Sequence, residues 1–151
     1  MKQPVVIEVY DADSTGSADF IGKADTTLGN IMGSHQQTMI IEIKDHHGKA
    51  TGKVIIRAEK VEQSSRIFSW HIDELHMNWK GGKIANVDSR FDFWDKSDPY
   101  LKFLKIRQDN TFIEIARTEV LFNNQSPNWK PINVPFSKLV DPSNPNPSFK
   151  V

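Results

Sequence analysis

The feature that most constrains this chain is a succession of short apolar runs with a period of two. Val5 to Tyr10 places Val5, Ile7 and Val9 on one face. Met39 to Lys44 aligns Met39, Ile41 and Ile43, and Val54 to Glu59 sets Val54, Ile56 and Ala58 against Ile55, Arg57 and Glu59. A period of two is the signature of strands buried on one side. Phe20-Ile21-Gly22 restarts an apolar segment. Arg66 to Met77 is the longest strand expected, with Phe68, Trp70 and Ile72 inward at its start. Asn78 to Phe91, with Gly81-Gly82, reads as a long loop. Pro99 to Arg107 and Phe112 to Val120 flank the turn Gln108-Asn110 as a hairpin. Trp129 to Phe136 gives one more strand, at an edge or short, because Pro131 and Pro135 carry no amide donor. Only Leu28 to Gln37 suggests a short helical turn. Seven or eight short strands without a long helix predict an all-β fold, an eight-stranded antiparallel β-sandwich.

The 151 residues are enough for one domain with a real core. The formal net charge is zero, which predicts no nucleic-acid partner. With no cysteine, disulfides and thiolate metal sites are excluded, which fits a cytosolic setting. No apolar run approaches the ~20 residues that cross a bilayer as a helix, and Met1-Lys2-Gln3-Pro4-Val5 lacks the apolar stretch of a signal peptide, so membrane contact is expected to be peripheral. Asp141 to Ser148, rich in Pro, Asn and Ser, reads as part of a loose tail over residues 141–151.

Two acidic loops adjoin strands. One is Asp11-Ala12-Asp13-Ser14-Thr15-Gly16-Ser17-Ala18-Asp19. The other is Asp92-Phe93-Trp94-Asp95-Lys96-Ser97-Asp98-Pro99-Tyr100, which opens the run Leu101 to Ile106. Carboxylates on loops suit calcium, which takes six to eight oxygens at about 2.3–2.6 Å. The other reading is that these are ordinary solvated turn aspartates.

The second loop resembles the first calcium-binding loop of a C2 domain, in which two aspartates six positions apart precede Ser-Asp-Pro-Tyr. Asp11-x-Asp13-x5-Asp19 followed by Ile21-Gly22 resembles the third loop. Asn124 to Trp129 resembles the segment before the fifth strand, with Ser126 in place of the usual Asn. More narrowly, Asp95 to Phe103, Arg117-Thr118-Glu119-Val120 and Trp129-Lys130-Pro131 resemble the copines, which carry two C2 domains followed by an integrin-type A domain. The motif of the third loop here precedes that of the first. Residues 1–51 therefore resemble the last strands of a first C2 domain, and residues 52–140 the first strands of a second. The chain either closes on itself over residues 1–140 as a circularly permuted C2-like sandwich or forms two incomplete domains with open edges.

The resemblance implies a calcium-dependent phospholipid-binding module, cytoplasmic and recruited to the anionic face of the plasma membrane when calcium rises. Asp11, Asp13, Asp19, Asp92 and Asp98 would hold the metal, whose charge relieves their mutual repulsion. Phe93 and Trp94 either insert into the lipid interface or pack beneath their loop. Lys102, Lys105, Arg107 and Arg117 do not form one patch, because Lys102 falls on the opposite face from Lys105 and Arg107. His71 and His76, and His46 and His47, lack zinc spacing. No nucleophile or phosphate-cradling motif is present, so no enzyme is expected. The competing function is a calcium-independent domain for protein partners.

Overall fold

The computed structural model describes residues 3–14, 16–61, 74–87, 96–107 and 109–139. Among the described residues, eight strands form an all-antiparallel fold: β1 (Pro4–Ala12), β2 (Ala18–Thr27), β3 (Thr38–Lys44), β4 (Ala50–Val61), β5 (Glu74–Gly82), β6 (Pro99–Ile106), β7 (Phe112–Arg117) and β8 (Ile132–Pro135). Among the described residues lie also two short α-helices, α1 (Leu28–Met32) and α2 (Phe136–Leu139), and a 3-10 turn at His35–Gln37. The strand order is β7-β6-β1-β2-β3-β4-β5-β8. β2 and β3 pair at a single position, Lys23 with Lys44, so the array bends there into two four-stranded layers. Trp79 on β5 and Phe103 on β6 stand far apart in strand order, yet their rings lie 5.4 Å apart. The two layers therefore face one another as a C2-like β-sandwich.

The period-two pattern accounts for what lies between the layers. Val5, Ile7 and Val9 of β1 meet Val54, Ile56 and Ala58 of β4 and Leu75, Met77 and Trp79 of β5 in one buried cluster. α1 closes part of that core with Leu28 and Ile31. Thr27 caps its start by accepting from the Asn30 N–H at 3.1 Å, and the Gly33 N–H returns to the Gly29 carbonyl at 2.8 Å.

Two pairings join the first three strands to the last five. β1 lies beside β6 with Asp11 opposite Pro99, and β3 lies beside β4 with Thr38 opposite Arg57. β8 sits at an outer edge, where Pro135, which has no amide donor, is tolerated.

One expectation is corrected. Gly81 and Gly82 belong to β5, opposite Val54 and Lys53, rather than to a loop starting at Asn78. Gly81 is small because another segment crosses it. A Cβ there would come within 2.7 Å of Pro127 Cγ, and its N–H donates to the Pro127 carbonyl at 2.8 Å. A glycine inside a strand marks such a close approach, which composition alone reads as a loop. The expected strand start at Arg66 to Asp73 lies outside the described residues.

Candidate functional site

Antiparallel register decides which acidic residues meet. The C-terminal end of β1, the start of β2 and the start of β6 lie side by side: Asp11 is opposite Asp19 on one neighbour and Pro99 on the other. Asp11 continues the inward parity of Val5, Ile7 and Val9, so its side chain enters the end of the core and is 1% exposed. Its Oδ1 accepts from the Asp98 N–H at 2.5 Å, while the Asp98 carbonyl accepts from the Ala12 N–H at 3.0 Å. Asp11 Oδ2 is buried and has no hydrogen-bond partner.

Asp98 is held from three sides. Its Oδ1 accepts from the Asn123 N–H at 2.7 Å. The Leu121 and Asn124 N–H groups donate to the carbonyls of Pro99 and Ser97, at 3.2 and 3.0 Å. Ser97, fully buried, accepts from the Val87 N–H at 3.1 Å, tying residues 85–87 to the same segment. Just beyond, Trp129 Nε1 donates to the Pro99 carbonyl at 3.2 Å. Where β7 stops, Thr118 extends the ladder by side chain: its Oγ1 accepts from the buried Leu101 N–H at 3.0 Å.

Asp13 belongs to a self-contained turn. It accepts from the Ser17 hydroxyl, its N–H reaches the Ser17 carbonyl and its carbonyl accepts from Gly16. Asp19 is exposed. Among the described residues no three carboxylate or histidine side chains gather as a metal cluster. Asp92, Phe93 and Trp94 lie outside the described residues. The structure thus brings Asp11 and Asp98 together, with Asp19 across from Asp11, and leaves Asp13 in its own turn.

A buried carboxylate oxygen without a donor is a costly state. A hard cation satisfies such an oxygen, so the donor chemistry of Asp11 fits calcium. Were calcium bound, Asp11 and Asp98 would hold it, and the metal would supply positive charge to the buried carboxylate.

The aromatic side chains of the outer face were not legible as a group. Tyr10 stacks on Tyr100 at 5.5 Å, Phe20 meets Tyr10 edge-on at 5.7 Å, and His46 stacks on Phe20 at 4.2 Å. Lys102 lies 4.2 Å from the Tyr10 ring centre and Arg117 5.3 Å from that of Tyr100. The cross-strand pairing of Lys102 with Arg117 makes these cations neighbours. Lys105 instead points inward and is 7% exposed, so the basic residues form no single patch. Burial, followed by the hydrogen bond to Glu8 at 2.8 Å, pushes the Tyr10 hydroxyl up to about 12.

The signal for this ladder was the shared parity of Tyr10 and Tyr100 on neighbouring strands, visible only once β1 and β6 are known to pair. Of the four histidines of interest, His76 bonds Asn133 Oδ1 through Nδ1 at 2.7 Å across β5 and β8, His46 packs on Phe20, and the His47 N–H donates to Asp45. His71 lies outside the described residues.

The segment holding Asp11, Asp13 and Asp19 also has a family likeness of its own: residues 1–43, covering β1, β2, α1 and nearly all of β3, match the family model of the C2 domain.

Proposed function

We propose that this chain is a calcium-dependent phospholipid-binding module of copine type, docking peripherally on anionic membranes from the cytoplasmic side. The single observation that carries the reading is the buried, partnerless Asp11 Oδ2, set against Asp98 at the end of the sandwich. A solvated turn aspartate has no reason to be buried with an open acceptor. A metal ligand does. The C2 match over residues 1–43 supports a binding module rather than a catalyst. The copine motifs at Asp95 to Phe103, Arg117 to Val120 and Trp129 to Pro131 support the narrower family. On this reading residues 1–140 are one permuted C2-like domain, with 1–51 and 52–140 pairing through β1–β6 and β3–β4. Asp92, Asp13 and Asp19 would complete the ligand set with Asp11 and Asp98.

A second reading, a calcium-independent domain for protein partners, draws on the lack of a three-ligand cluster among the described residues. Calcium titration by calorimetry, with thermal melting and sedimentation with phosphatidylserine vesicles, separates the two. Heat, a rise in melting temperature and calcium-dependent sedimentation are expected. A cooperative melt with neither heat nor sedimentation would sink the calcium reading and leave the second.

A further inference from the structure

Three large apolar side chains are well exposed among the described residues: Ile40 at 64%, Phe112 at 56% and Phe122 at 75%. Scattered exposed apolar residues are normal, so exposure alone decides nothing. What separates them is how they are held. Ile40 lies on the open face of β3 opposite Ile55. Phe112 begins β7 opposite Ile106, beside the hairpin turn. Phe122 sits on the turn that grips Asp98.

That turn is fastened on both sides of the ring. Leu121 N–H donates to the Pro99 carbonyl, Asn123 N–H to Asp98 Oδ1 and Asn124 N–H to the Ser97 carbonyl. Asn123 Oδ1 in turn accepts from the Lys96 N–H at 2.9 Å. Asn123 takes φ 53°, a left-handed conformation that asparagine tolerates better than most residues. A loose loop would let the ring fold back against the protein. Here the backbone on each side is bonded to residues 96–99, and the ring is left outside.

The chain has zero formal net charge, so its net charge supplies no attraction to an anionic surface. Attachment then needs a bound cation and an apolar contact at the same end. We infer that Phe122 is that contact: its ring enters the headgroup–acyl boundary of an anionic bilayer, an environment that favours aromatic rings, when a cation at Asp11 and Asp98 brings this end to the surface. The inference rests on the calcium and lipid reading proposed above. Its particular content is that the ring is locked in register with the metal ligand through the Asn123–Asp98 hydrogen bond.

The chain has no cysteine, so Phe122→Cys and Phe112→Cys each give one labelling position. Phe112 is the control. Seven residue steps along β6 separate Pro99 from Ile106, a distance of about 23 Å at ~3.3 Å per residue. Each variant, carrying a polarity-sensitive fluorophore, is mixed with vesicles of equimolar phosphatidylserine and phosphatidylcholine, then calcium, then a chelator. The expected result is a blue shift and quenching by brominated lipid at position 122, reversed by the chelator, with a water-like spectrum at 112. Phe122→Ala should bind vesicles about ten- to hundredfold more weakly, the ratio expected for losing one buried phenylalanine. Phe112→Ala should bind like the parent. If the parent protein sediments with vesicles while the label at 122 stays water-like, or if both labels shift alike, this inference fails and the lipid reading stands. A blue shift at 122 without vesicles means a protein surface covers the ring, which also overturns it. If the parent does not sediment at all, both readings fall.

Discussion

The two ends of the β1–β6–β7 layer treat aspartate in opposite ways. At the hairpin end, Asp109 is solvent-exposed and accepts from both the hydroxyl and the N–H of Thr111, at 2.6 and 3.0 Å. Those donors, the hydroxyl first, hold its carboxyl below the usual range. At the other end, Asp11 is buried, accepts one backbone N–H and leaves Oδ2 open. The first arrangement completes itself within three residues. The second is assembled from β1, β6 and the 121–124 turn and still lacks a partner. A turn aspartate stabilises its own turn; the buried carboxylate of Asp11 keeps an acceptor that its own fold does not satisfy.

The largest expected effect tests that difference directly. Calcium at about 100 times its dissociation constant should stabilise the protein by about 2.7 kcal/mol, roughly 5–10 °C in melting temperature at this size. Asp11→Asn should abolish the rise in a thermal melt, and Asp109→Asn should leave it intact. Equal loss in both variants would break the comparison.

Next come two threonines. Thr118→Val strips the acceptor from the buried Leu101 N–H and should lower stability by about 1–3 kcal/mol in chemical denaturation. Thr111→Val, exposed in the hairpin, should stay within about 0.5 kcal/mol, because water replaces its bonds.

Without metal, Asp11→Asn should raise the unfolding free energy, read by chemical denaturation, by an amount on the order of 1 kcal/mol, since it removes a carboxylate buried with an open acceptor. The same substitution thus stabilises the metal-free protein and removes the gain from calcium. A destabilised metal-free variant would mean that Oδ2 is already satisfied.

The remaining effects are smaller and depend on pH. Asp109 titrates lower in the folded than in the unfolded chain, where aspartate sits at about 3.9. Its contribution is present above that value and disappears as pH falls through the lower folded one. Parent and Asp109→Asn stability curves should therefore converge in acid. Tyr10 is shifted the other way, to about 12 against about 10 unfolded. Stability linked to it should be complete below pH ~10 and lost as pH rises toward ~12. Glu8→Gln should bring the late phenolate transition down in an ultraviolet titration of the two tyrosines.

Much of the fold was legible because burial on one face imposes alternation. Val5, Ile7, Val9, Val54, Ile56 and Ala58 all entered the core, as their spacing required. The hairpin around Asn110, which adopts φ 61°, followed from its local turn chemistry. Gly81 was misread because the reason for the glycine, the ring of Pro127 packed against it, lies more than forty residues away. The aspartates were visible as loop residues, but nothing local distinguished Asp11 from Asp13. Strand parity carried Asp11 inward, and the turn kept Asp13 with Ser17.

By itself, then, the sequence determined which residues alternate, where turns fall and which segments carry acid. These are short-range matters, governed by side-chain period and backbone preference. Only the tertiary structure decided that β1 lies against β6, that Asp11 therefore meets Asp98, and that the turn bearing Phe122 is fastened to the same place. Those contacts join residues 25 and 87 positions apart, and the packing of the two layers selects them.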